Sequence, residues 1–290
     1  MSNKEAVELL KGAIDIHVHS SPDVFPRAFD DLEVAHKCKS YGMKAIVLKS
    51  HVTGTADRAQ IASKAAEFPV FGGIVLNHEV GSINLAAVNA ALRMGAKIVW
   101  MPTLNSVEHM RHVSSIPRLV QYFPEGTRGI SILNDQGELL EQVGDILACI
   151  LKYDAVLATG HISPLEAKTL VRVAREYGLK KMIITHPIGG HSQFSLNDLK
   201  ELVAMGAYIE HCWVYTTPHV KIPIQPTVFA EAVKTLGPEH TILSSDSGQA
   251  INPFPTDMLT DFIDNLLRLG ISEREIKMML SDNPQKLLNI

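Results

Sequence analysis

The chain has 290 residues, 46% of them hydrophobic and 20% charged, with a formal net charge of −4. This is ordinary globular usage, sufficient for a large core without disulfides, and it excludes general disorder. The acidic balance and the lack of any Lys/Arg run argue against a nucleic-acid partner. No apolar stretch reaches the roughly eighteen residues of a membrane span.

The opening MSNKEAVELLKGAID lacks the basic-then-apolar pattern of a signal peptide, so a cytoplasmic protein without a membrane partner is expected. Eight short, β-branched apolar runs then follow one another: 13–19, 44–50, 70–77, 96–102, 155–161, 181–187, 207–213 and 241–247. Stretches of helical period separate them, among them 31–42, 56–68, 163–178 and 255–270. Several of these start at a Ser, Thr or Asp cap and end at glycine. Gly42, Gly95, Gly178 and Gly206 each stand just ahead of the next strand. Strands alternating with helices imply a parallel sheet, and eight repeats predict an α/β fold, a (β/α)8 TIM barrel forming one domain over 1–290.

Two segments break the rhythm. Within 103–137, the turn residues Asn134-Asp135-Gln136-Gly137 predict a short β-hairpin inserted between the fourth and fifth strands. After the seventh strand, 214–226 carries three prolines and little helical pattern, and an irregular segment over the barrel mouth is expected. Cys38, Cys149 and Cys212 are far apart, show no CxxC spacing, and are read as reduced thiols.

The polar residues that end the apolar runs carry the chemistry. In the first run, strand alternation places Asp15, His17 and His19 on one face, with Ile14, Ile16 and Val18 on the other. Two neutral imidazoles so placed can bind one Zn, Mn or Fe ion from two directions. The fifth run ends in Gly160-His161, the sixth in Thr185-His186-Pro187 and the eighth in Ser245-Asp246-Ser247-Gly248. In a barrel these ends face one mouth, where barrel enzymes place catalysis.

This order, HxH after the first strand, His after the fifth and sixth, and Asp after the eighth, resembles the amidohydrolase superfamily of metal-dependent hydrolases. The resemblance spans nearly the whole chain, and Asp282-Asn283-Pro284 with Leu287-Leu288 is similar to a tail common there. It implies that His17, His19 and Asp246 hold a first divalent metal. His161 and His186 would hold a second, or one of them would contact substrate in a one-metal form. Zinc is the expected ion, with Mn, Fe or Ni as alternatives.

One departure concerns the fourth strand, which ends Val99-Trp100-Met101-Pro102-Thr103 and offers no Lys or Glu to bridge two ions. Lys49 from the second strand, with His51 on the same face, is a candidate substitute as a carbamate, or else binds a substrate anion. Glu79 and Glu210 are weaker candidates, and Asp15 is expected to orient a histidine.

The mechanism the resemblance implies has Asp246 as base to a metal-activated water, with His186 or His161 polarising the attacked oxygen. Arg27, His51, Arg58 and Gln249 are candidate substrate contacts, with Arg111, His191 and Asn252 further out. Arginines at the mouth favour a carboxylate or phosphate on the substrate. The expectation is thus a homo-oligomeric hydrolase of a small polar metabolite, cleaving an amide, other C–N, ester or lactone bond. A one-metal decarboxylase, a TatD-like phosphoesterase and a non-catalytic metal-binding barrel remain as alternatives.

Overall fold

A computed structural model describes residues 3–112, 122–123, 125–189 and 194–290. Its strands, in chain order, are β1 (Ile14–Val18), β2 (Ala45–Leu48), β3 (Val70–Phe71), β4 (Gly73–Val75), β5 (Ile98–Trp100), β6 (Val156–Ala158), β7 (Met182–Ile184), β8 (Tyr208–Cys212) and β9 (Thr241–Ser244). All pair in parallel, in the orders β1-β2-β3 and β4 through β9. A parallel bridge between Val18 and Ser247 joins β1 to the end of β9 and completes the circle. This is the expected α/β barrel.

The third predicted strand is divided at Gly72, giving nine segments where eight runs were read. A Cβ on Gly72 would lie 2.5 Å from the backbone of Thr55 and Ala56, so the strand passes hard against the start of the helix Ala56–Ala66. Thr55 stitches this seam: its hydroxyl donates to the Leu48 carbonyl at 2.7 Å and accepts from Gly73 N at 2.9 Å. It occupies an N-cap position yet makes no side-chain cap, because the hydroxyl is spent on the barrel wall.

Helices Asp31–Ser40, Pro164–Glu176 and Pro255–Arg268 form where helical period was read. Asp30 with Glu33 and Ser163 with Glu166 close capping boxes, each a contribution of about 1 kcal/mol. The inserted turn is present as an antiparallel bridge between Leu133 and Leu139, with Asn134 N donating to Glu138 O. After β8 the chain makes a 3-10 turn, Trp213–Thr216, and regains helix only at Pro226.

One feature of β1 departs from simple alternation. The β1–β2 register slips between Asp15 and Val18, placing an extra residue in β1. Ile14 and Ile16 therefore join the apolar floor of the barrel with Ala45, Val47, Ile98 and Trp100, while Val18 packs outward. Beyond the slip, His17 and His19 line the cavity. Asp15, before it, lies outside their face and does not orient a histidine: its Oδ1 accepts from the backbone N–H groups of His17 and Ser245 at 3.1 and 3.2 Å. Burial, only partly offset by these bonds, pushes its carboxyl up to about 7.

Among the described residues, no helix is long and apolar enough to cross a membrane.

Candidate metal and catalytic site

The C-terminal ends of the strands open into a cavity of about 420 Å³. On its floor, Nε2 of His17 and Nε2 of His19 lie 3.3 and 3.2 Å from one Asp246 carboxylate oxygen. All three side chains are buried. Burial alone would raise the Asp246 carboxyl, but His17 and His19 outweigh it and hold it well below the usual carboxylate range. Asp246 takes a left-handed backbone, φ 49°, and His186 a similar one, φ 28°. The next turn is tight: a Cβ on Gly248, φ 119°, would sit 1.9 Å from the His19 carbonyl.

Buried partners orient the rings. Glu210 of β8 lies 3.1 Å from His17 Nδ1, both side chains 1% exposed. A proton held on Nδ1 by this carboxylate would leave Nε2 free to bind a cation beside Asp246, and Lys49 Nζ approaches the same nitrogen at 3.0 Å. Burial lowers the Lys49 pKa, and among the described residues no carboxylate lies within salt-bridge distance of its amine. Burial also keeps His161 well below the usual histidine range and brings His186 down to about 4, so both rings are neutral at pH 7. The Tyr215 hydroxyl meets His186 Nδ1 at 3.1 Å.

The donor set of two imidazole nitrogens and one carboxylate oxygen, all within 4.8 Å of one another, fits a divalent cation. His19 adds a condition. Arg27 Nη2 lies 3.3 Å from its Nδ1, and guanidinium only donates, so this contact assigns the His19 proton to Nε2. Ligation through Nε2 requires the proton on Nδ1 and hence Arg27 turned away. His17, Glu210 and Cys212 form a second close group, but there the Cys212 thiol is pushed well up by burial and lies 3.8 Å from the nitrogen that Glu210 engages.

Of the residues singled out from the sequence, His17, His19, Lys49, His161, His186, Asp246, Arg27, His51 and Gln249 line this one cavity. Gln249 donates to the Asp246 carbonyl at 2.8 Å and accepts from Asn252 at 2.7 Å. His51 is held by the Thr103 hydroxyl at 2.8 Å and stacks on His19.

Others lie elsewhere. Arg58 does not face the cavity: its guanidinium binds the carbonyls of Ser20 and Pro22 and approaches Asp31, bracing the loop after β1. Arg111 pairs with Glu108 on the surface. Glu79 is exposed and accepts from the Tyr122 hydroxyl, so it supplies no bridging ligand. His191 lies outside the described residues.

Three site residues had no sequence signal as such: His109, Tyr215 and, in its observed role, Glu210. His109 sits on a four-residue helix, Val107–Met110, in the insertion after β5, with Nδ1 3.1 Å from His161 Nδ1. Ser106 places both, donating to the His161 carbonyl at 2.8 Å and accepting from His109 N at 3.1 Å.

Fold and site together describe an α/β barrel with two histidines and an aspartate gathered at the C-terminal ends of its strands. The chain spans 100% of itself and 98% of an amidohydrolase from Pseudomonas aeruginosa, at 13% identity and a TM-score of 0.66. It is also similar to a probable 2-pyrone-4,6-dicarboxylic acid hydrolase from Acinetobacter baumannii, with 13% identity, 96% and 100% coverage and a TM-score of 0.61. A third match is 2,6-dihydroxybenzoate decarboxylase from Rhizobium, with 12% identity, 96% and 99% coverage and a TM-score of 0.60. At these identities the likeness is one of fold. No curated protein matches the sequence. The chain belongs to the family described as "Family of unknown function (DUF6282)", whose model matches residues 12–210.

Proposed function

We propose that the protein is a metal-dependent hydrolase of a small anionic metabolite, cleaving an amide, ester or lactone bond. The observation that carries this reading is the convergence of His17 Nε2, His19 Nε2 and Asp246 Oδ1, with Glu210 holding the His17 tautomer. Those three residues would hold one ion, zinc by preference for N,N,O donors, and Lys49 Nζ reaches the same point. When bound, the ion supplies a water acidified towards a pKa of about 7 and an electrophile for the attacked carbonyl.

The chain's own residues do the rest. Asp246, kept ionised by its two imidazoles, takes the attacking water's proton and delivers it to the leaving group. His186, neutral and turned by Tyr215, offers a hydrogen bond to the developing oxyanion. A single ion is favoured because, among the described residues, both groups of three close ligand atoms contain His17 and neither includes His161 or His186.

The lack of a carboxylate or lysine at the end of β5 also supports a second reading, a one-metal decarboxylase, a class with the same fold. Metal analysis of wild type, His19→Ala and Asp246→Asn, combined with a panel of lactones, esters, amides and aromatic acids, tests both. Expected are one ion per chain in wild type and turnover reduced at least about a hundredfold in both variants with the fold intact. Carbon dioxide release would select the second reading. Full turnover after rigorous chelation would reject both.

A further inference from the structure

We infer that the substrate is a monocarboxylate with an apolar body of about the size of an aromatic ring, its acid end met by Arg27 and its body by the loops of the mouth. This rests on the catalytic reading above and names the substrate class for the same site.

Outward from the histidines, the cavity wall is apolar: Phe25 after β1, Leu104 after β5, Val214 and Val220 after β8, and Ile251 after β9. These are loop positions, where exposed polar side chains are the norm. Leu104, Phe25, Met110 and Phe123 nevertheless gather into an apolar cluster of their own, separate from the floor and the two helix-facing cores. Of this cluster, Phe25 and Leu104 line the cavity. Ile251 at the rim is 68% exposed, and Val24, beside Phe25, is 60% exposed. Four different loops presenting apolar groups to one opening make a seat for an apolar ligand, since an exposed patch of that kind is otherwise a liability.

A guanidinium stands at the polar end of the seat. Asp23 holds Arg27 through Nε and Nη2 at 3.1 and 2.9 Å, and among the described residues Nη1 has no hydrogen-bond partner. The guanidinium lies beside His19, and the turning required for His19 to ligate through Nε2 swings Nη2 off that ring as well. Arg27 lines the cavity, and its Nη1 together with the Nη2 N–H released from His19 would offer the paired donors of a fork that matches a carboxylate. Lys49 adds an amine on the same floor, 3.0 Å from His17 Nε2. An uncharged ligand would leave these donors idle, and a short-chain acid would leave the apolar wall wet.

Calorimetric binding to the zinc-supplemented full chain, with phenylacetate, acetate and phenylacetamide as probes, tests this. Phenylacetate is expected to bind with one-to-one stoichiometry, and acetate and phenylacetamide each at least about tenfold more weakly. Ile251→Asp, an exposed position that leaves folding intact, should bring phenylacetate towards acetate. Leu104→Asp should do so more strongly, with circular dichroism checking its fold. Arg27→Met should erase the preference for phenylacetate over phenylacetamide while the preference for the ring survives. Acetate within about threefold of phenylacetate in wild type, or an acid preference retained in Arg27→Met, overturns the inference. Failure of the catalytic reading registers separately, as wild-type protein that takes up no metal or an Asp246→Asn variant with full turnover. Full turnover by Asp246→Asn would leave the probe ratios as they are, whereas metal-free wild type, identified by metal analysis, would keep Arg27 on His19 and show a smaller preference for the acid.

Discussion

Glu210→Gln tests the claim that a carboxylate behind His17 sets the affinity of the floor for a cation. The substitution keeps an oxygen available to His17 Nδ1 at the observed 3.1 Å and removes only the charge, in a pair whose two side chains are each 1% exposed. A hydrogen bond to a charged group contributes about 1.5–3 kcal/mol and a neutral one about 0.5–1.5. The difference, on the order of 1.4 kcal/mol, corresponds to about tenfold in an equilibrium constant. It sits at the low end of the roughly 10- to 100-fold typical when the partner of a metal-bound histidine is altered. Zinc affinity, measured by competition with a chromophoric chelator, should therefore fall about tenfold at unchanged stoichiometry. Glu79→Gln, on the surface beside Tyr122, is the matched control and should change nothing. An affinity for Glu210→Gln within about twofold of wild type would refute the reasoning. So would total loss of zinc from a folded variant, since Glu210 would then be a ligand rather than a support.

Three further expectations follow from the geometry. His211 lies outside the cavity lining against Phe229, with neither ring nitrogen partnered among the described residues, and burial lowers its pKa to about 4. The unfolded chain then binds the extra proton first, so stability declines as pH falls from about 6.5 towards 4, by about 3 kcal/mol in full. His211→Leu should flatten urea midpoints measured between pH 7 and 4.5, and an unchanged slope would remove His211 as the cause. Gly248→Ala forces a Cβ onto the His19 carbonyl, so metal content should collapse in a protein that is at least partly unfolded by circular dichroism; a zinc-loaded, fully stable variant would contradict the 1.9 Å contact. Zinc at a hundred times its dissociation constant should stabilise wild type by about 2.7 kcal/mol. Thermal melts with and without chelator should show that difference in wild type and little of it in Asp246→Asn.

Much of the barrel was legible because its wall is built from short apolar runs, each closed by a polar residue at the mouth. Alternation and helix-ending glycines were enough to place His17, His161, His186 and Asp246 at one end. The slip in β1 was not legible, since an extra residue changes which side chains face inward without altering composition, and Asp15 was misassigned for that reason. The seam at Gly72 arises from contact with Thr55, seventeen positions earlier in the chain, which no local pattern encodes. Arg58 looked like an anion hook because it follows β2, yet its length lets it reach back under the neighbouring loop. His109 and Tyr215 escaped notice because they sit in the two irregular segments, where neither period locates a side chain.

The turn at Asp246 limits how this corner of the barrel can change. Its φ of 49° lies where asparagine, aspartate and glycine are at ease and bulkier residues are not. Of those three only aspartate brings a negative charge. Glutamate or cysteine would each donate well to a metal but would carry a backbone penalty on the order of 1 kcal/mol or more before any bond formed. A descendant evolving towards a softer ion would thus meet less resistance at Lys49 or Glu210, whose backbones are not left-handed, than at the carboxylate nearest the two histidines.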